Sequence, residues 1–140
     1  MENKSSNALN INFDQLVAGY EFPLASYELN ASTISKYLEA VGRQGKQSLP
    51  ESEFVPPLAI GAYVMTVLAK SLSLPLGSIH AAQEFEFYKL VPIGATISCH
   101  GKVAQKLQRG KLNMLVIALE ALNGDKEKVL SGKTTLILPG

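Results

Sequence analysis

Residues 55–74 read VPPLAIGAYVMTVLAKSLSL, and this stretch decides the fold. Between Pro57 and Ala69 no side chain carries a charge. Leu58, Ile60, Val64, Met65, Val67 and Leu68, with Ala59, Ala62 and Ala69, fall on every face of a helix. A helix that is apolar all round is expected to be buried rather than amphipathic. Pro56-Pro57 can start it, because a proline in the first turn loses nothing by lacking an N–H. Lys70 and Ser71 begin a polar end, and Pro75 and Gly77 stop it. At about 1.5 Å per residue the helix is about 22–25 Å long, too short for a bilayer core of about 30 Å. The expectation is a central helix that the rest of the chain wraps.

The composition agrees with a packed soluble domain. The chain has 140 residues, enough for one domain with its own core. Hydrophobic content is 46% and charged content 18%, which excludes a disordered chain. A net charge of +1 and a pI of about 7.8 give no electrostatic pull toward nucleic acid or an anionic membrane. Cys99 is the single cysteine, so no disulfide framework or thiolate metal site is expected. Residues 1–10 (MENKSSNALN) are polar, are expected to be a disordered tail, and show no secretion signal. Residues 11–140 then form one domain, with a cytoplasmic location expected.

Upstream of the central helix, Gly19 to Leu29 is strand-like, and Pro23 points to an edge position or a bulge. Ser32 to Gly42 reads as a helix. Asn30 or Ser32 can cap it, and Ile34, Tyr37, Leu38 and Val41 form one apolar stripe. Arg43 to Phe54 is a polar loop. Downstream come four extended stretches. Ser78 to Leu90 places Ala81, Gln83, Phe85 and Phe87 on one face, with His80, Glu84 and Glu86 on the other. Ala95 to Leu107 alternates Ala95, Ile97, Cys99, Val103 and Leu107 inward against Thr96, His100, Lys102 and Lys106 outward. Leu112 to Leu122 is apolar on both faces, so its outer face is expected to be covered by another subunit. Val129 to Leu138 is the last strand. Arg109-Gly110 and Asn123-Gly124-Asp125 mark hairpin turns. The predicted architecture is α+β: one antiparallel sheet wrapped around one long central helix.

This order of elements resembles the hot-dog fold. More closely, the chain is similar to the MaoC-like acyl dehydratases, a group that includes (R)-specific enoyl-CoA hydratases and hydroxyacyl-thioester dehydratases. The stretches that carry the resemblance are FDQLVAG at 13–19, SKYLEAV at 35–41 and VPPLAIG at 55–61. SIHAAQEFEFYKLVPIG at 78–94 and VLSGKTTLILP at 129–139 complete it. The resemblance implies a thioester ligand, acyl-CoA or acyl-carrier protein, and no further cofactor or metal. It implies substrate contacts from Pro57, Leu58, Ala59 and Gly61 at the helix start, and from His80 and Gln83 on the next strand. It also implies a homodimer, or a heterodimer with a catalytic hot-dog subunit.

Two departures bear on activity. Members of the group carry an Asp and a His after the short helix, in a stretch like GDxNPxH, to activate water. Residues 42–48 here read GRQGKQS, and no Asp or His occurs from 42 to 54. A guanidinium at Arg43 stays protonated and cannot act as the base. The helix opens on Pro56-Pro57 where relatives use a glycine N–H to polarise the thioester carbonyl, and proline has none to offer. Only the N–H groups of Leu58 and Ala59 remain for that task.

The resemblance and its departures leave three functions. One is acyl-thioester binding by a non-catalytic or partner subunit, which the two departures favour. Another is an active enoyl-CoA hydratase or 3-hydroxyacyl dehydratase on non-standard residues, with His80, Glu51 and Glu53 as weak catalytic candidates. The third is a hot-dog thioesterase, which loses its usual helix carboxylate because 57–74 contains no Asp or Glu. Lys102, Lys106, Arg109 and Lys111 cluster at one hairpin, either as a solvated turn or facing ligand phosphates. Gly132-Lys133-Thr134 mimics a phosphate-loop ending, but Glu127 stands where such a loop needs its first glycine.

Overall fold

A computed structural model describes residues 13–42 and 54–139. The expected N-terminal tail, Arg43, Glu51 and Glu53 lie outside the described residues. After a short 3-10 turn at Phe13–Gln15, the elements are β1 (Ala25–Glu28), α1 (Ala31–Ala40) and α2 (Pro57–Ser71). The strands β2 (Ile79–Phe87), β3 (Thr96–Arg109), β4 (Leu112–Leu122) and β5 (Lys128–Pro139) follow. All strands pair antiparallel in the order β1-β3-β4-β5-β2. Helix α2 lies against β3, β4 and β5. Its Ile60, Val64 and Val67 share one core with Ile97, Leu115, Ile117 and Leu130 of the sheet. No helix among the described residues is long and apolar enough to cross a membrane.

Local chemistry sets the element ends. Asn30 caps α1, its Oδ1 accepting the Thr33 N–H at 2.9 Å. Ile34 and Leu38 point into the core, while Val41 has left the stripe and is 55% exposed. Gly42 ends the segment at φ +89°, a left-handed conformation that a side chain disfavours. Removing this cap by Asn30→Ala is expected to cost about 1 kcal/mol. Thermal unfolding followed by circular dichroism would then show a midpoint lower by about 3–4 °C. An unchanged midpoint would contradict the cap.

The structure corrects the sequence at four places. Helix α2 is not buried all round. Ala59, Ile60, Gly61, Val64, Val67 and Leu68 face the sheet, but Leu58 is 60% exposed and Ala62 and Ala69 are open too. One sheet covers one side of a helix, and the other side is met only in part, by α1 and by Tyr27 of β1. The first strand is also shorter than expected. Continuous pairing covers Ala25–Glu28 at the sheet edge, and the Pro23 region is held by an isolated bridge of Glu21 to Lys102.

The other two corrections have one cause. β2 carries a bulge at Ala81, between the pairs His80–Leu136 and Ala82–Thr135. β3 carries one at Ala104, between Val103–Ile117 and Gln105–Val116. An extra residue on one strand reverses the alternation beyond it. His80 therefore joins Gln83 on the inner face instead of opposing it. Lys106 comes opposite the buried Leu115, and its Nζ donates to the Leu16 carbonyl at 2.8 Å, while Leu107 turns out and is 39% exposed. Strand β4 is apolar on both faces as expected: Leu115, Ile117 and Leu119 are core, and Val116 on the other side is nearly buried.

Candidate functional site

The C-terminal half of α2, the connection after it, and the edge pair β2–β5 border a half-open cavity of about 350 Å³. Its walls are Met65, Leu68, Leu72, Leu74, Ile79 and Leu136, with Ala69. Only Ser78, His80 and Thr134 bring polar atoms to it. Thr134 is fully buried, and its hydroxyl donates to Gln83 Oε1 at 2.7 Å with Met65 Sδ at 3.4 Å. Gln83 Oε1 also meets His80 Nε2 at 2.9 Å. The bulge at Ala81 brings these groups together, because without it the His80 ring would face the opposite side of the sheet.

Toward the helix start the space between helix and sheet is filled. A Cβ built on Gly61 would stand 2.9 Å from the Phe85 ring, and one on Gly132 would stand 2.9 Å from the same ring. The ring thus lies between two glycines, one on α2 and one on β5. Ala59 and Gly61 are buried in this layer, whereas Pro57 and Leu58 are exposed at the helix start. Of the residues the resemblance places around a substrate, His80 and Gln83 come together, Gly61 faces Phe85, and Leu58 stands apart on the open flank. Thr134 and Met65 were missed as site residues. No pattern in the sequence marks them, since their role depends on which residue of β2 is bulged.

The flank of α2 beside the β1 edge carries other chemistry. The rings of Tyr27 and Tyr63 lie 4.9 Å apart, with Lys70 Nζ 5.6 Å above Tyr27. Burial, with a smaller contribution from Tyr27, raises the Tyr63 phenol above its ordinary pKa. The Tyr27 hydroxyl is buried without a partner. An open hollow of about 460 Å³ between α1 and α2 is lined by Lys36, Tyr37, Tyr63 and Thr66. On the outer face of the sheet, His100 is half-buried rather than solvent-facing, with Nε2 3.3 Å from Ser98 Oγ. Beside it Glu21, Lys102 and Glu120 line a further hollow. Among the described residues no group of His, Cys, Asp and Glu is placed to hold a metal ion.

Neither a protein-family model nor a curated protein matches this sequence. The architecture does have counterparts: a five-stranded antiparallel sheet with one central helix against it is the hot-dog fold, of class α+β. The chain shares that fold with (R)-hydratases and MaoC-like dehydratases. The (R)-hydratase PhaJ1 of Pseudomonas aeruginosa superposes with a TM-score of 0.74 at 16% identity, over 93% of this chain and 86% of that one. A MaoC-like dehydratase from Rhodospirillum rubrum gives 0.70 at 19%, over 90% and 94%. The ChsH1–ChsH2 complex of Mycobacterium tuberculosis gives 0.67 at 11%, over 89% and 99%.

Proposed function

We propose that this chain is an acyl-thioester-binding member of the hydratase and dehydratase group that does not itself dehydrate. The observation that carries the reading is the partner of His80. A general base for water activation is commonly oriented and charged by a carboxylate. Here the ring nitrogen meets the amide oxygen of Gln83, which can orient an imidazole but brings no charge to stabilise its protonated form. The other described histidine, His100, meets a serine hydroxyl on the far side of the sheet. The acyl chain lies in the apolar cavity of Met65, Leu68, Leu72 and Leu136.

The chain functions as a homodimer or beside a catalytic hot-dog subunit. The free edge of β2, with Ile79 and Phe87 exposed, and the open flank of α2 are the surfaces such a partner would cover. The ChsH1–ChsH2 complex, a chain of which shares this fold, is built from two different components, which supports a partnered reading.

Mixed with crotonyl-CoA or a longer enoyl-CoA, the purified protein is expected to leave the enoyl-thioester absorbance unchanged, while calorimetry shows saturable binding of octanoyl-CoA. Absence of binding would remove the proposal. Turnover lost on His80→Ala would establish the active hydratase instead, a reading that the position of His80 at the cavity favours. Release of free thiol from the acyl-CoA would point to a thioesterase.

A further inference from the structure

One end of the molecule collects exposed aliphatic side chains from two stretches distant in sequence. Leu76, in the tight turn after α2, is 97% exposed, and Leu74 and Ile79 on either side of it are exposed too. A Cβ on Gly77 would stand 3.6 Å from the Pro139 ring, which puts this turn at the end of β5. Pro139 pairs with the exposed Leu112 of the β3–β4 hairpin, and the exposed Leu107 follows on β3. A single exposed leucine is ordinary, but several together mark a surface that another phase or molecule covers. The same end is basic. Arg109 and Lys111 of the hairpin turn are both exposed beside Leu112. Lys106 is turned to the Leu16 carbonyl, two residues from Asp14, and Lys102 is farther along β3, paired with Glu21. Residues 70–83, 103–119 and 129–139, which build this end, include no Asp or Glu. The net charge of +1 therefore averages over a molecule that carries most of its carboxylates elsewhere.

We infer that this end docks on an anionic lipid surface, with Leu74, Leu76 and Leu112 entering the acyl layer and Arg109 and Lys111 meeting lipid phosphates. Apolar tips bordered by cations suit the boundary of a bilayer, where burial and attraction to anionic headgroups add. The leucines stand on two protruding turns rather than in a groove. A deformable layer accepts such tips, whereas a protein partner would have to supply matching hollows. Ile79 borders the β2 edge assigned above to a partner subunit, so the docking relies on the other three. The inference is independent of the acyl-binding reading, but Leu74 also walls the half-open cavity, so a docked molecule holds that cavity against the lipid.

The test sediments the full chain with vesicles of phosphatidylcholine alone, or of phosphatidylcholine with about one-third phosphatidylglycerol. Binding to the anionic vesicles is expected to be roughly tenfold stronger or more, and to weaken as salt rises. Arg109→Gln with Lys111→Gln should weaken it roughly 25-fold, about fivefold for each charge. Leu76→Glu should weaken it roughly tenfold or more, and at so exposed a position it disturbs no packing. Lys126→Gln, in the β4–β5 turn at the opposite end of the sheet, should change it by less than about twofold. The chain has no tryptophan, so Leu76→Trp reports the tip alone. Its emission should shift to the blue on the anionic vesicles and be quenched there by brominated lipid. No sedimentation with anionic vesicles, binding that survives Leu76→Glu or the double charge variant, or an unmoved Trp emission would each overturn the inference. Self-association without vesicles that Leu76→Glu abolishes, read by sedimentation velocity, would identify a second copy as the occupant and overturn it as well.

Discussion

Native Cys99 is expected to react with a thiol reagent at pH 8 roughly a thousandfold more slowly than the same residue in the denatured chain. It has no exposed surface, and burial pushes its thiol from 9.0 up to about 12. The thiolate is the reacting species, so at a pH below both values its population, and with it the rate, falls about tenfold for each step of one in pKa. The raised pKa also has a signature in stability. A thiol that ionises later in the folded state than in the unfolded one contributes stability present in full below pH 9.0, and loses it as pH rises toward about 12. Urea denaturation of wild type and Cys99→Ala across pH 8 to 10.5 should therefore show the wild type losing stability faster above about pH 9. The difference isolates Cys99 from the lysines and tyrosines that also titrate there. Full-speed labelling of the native protein would contradict the burial.

The second large effect is at Gly132. A Cβ there would stand 2.9 Å from the Glu84 carbonyl oxygen and 2.9 Å from Phe85 Cδ1. The backbone oxygen belongs to a paired strand and cannot step aside. Gly132→Val is expected to cost about 3 kcal/mol, a fall of about 10 °C in unfolding midpoint. Gly61→Ala meets only the Phe85 ring, also at 2.9 Å, so a smaller neighbour should relieve it. On a Phe85→Leu background Gly61→Ala should be nearly neutral, while Gly132→Ala should keep most of its cost. If Phe85→Leu rescued both glycines equally, the carbonyl contact would not be the limiting one.

The layer of Phe85 between two glycines helps show how much was legible in the sequence. Helix periodicity located α1, and an uninterrupted apolar run located α2, because hydrophobic pattern is the strongest local signal of such elements. The β3–β4 and β4–β5 hairpins followed from alternation and turn residues, whereas the pairing of β2 with β5 and of β1 with β3 joins segments too far apart in sequence to leave a local signal. The cap was readable to within two candidates, Asn30 and Ser32, because both side chains favour that position beside an apolar stripe, and the structure selects Asn30. What failed was local register. Nothing about Ala81 or Ala104 says that it will be the unpaired residue, since a bulge is chosen by what both strands pack against. Those two alanines decide the faces of His80 and Lys106. The exposed side of α2 was illegible for a related reason: apolar residues such as Leu58 and Ala62 look like core whether the chain's own sheet or another surface covers them. Glu51 and Glu53 fall outside the described residues, so their candidacy rests on the sequence alone.

The bulge at Ala81 also bears on how such a pocket changes over evolutionary time. Removal of that one codon would restore strict alternation and swing His80 to the far face of the sheet, taking the polar anchor away while every residue type around the cavity stayed the same. A later insertion would bring it back. In this fold the chemical character of the cavity is thus set by length as well as by substitution. Two descendants that align column for column except for a single gap can present opposite walls to the same ligand.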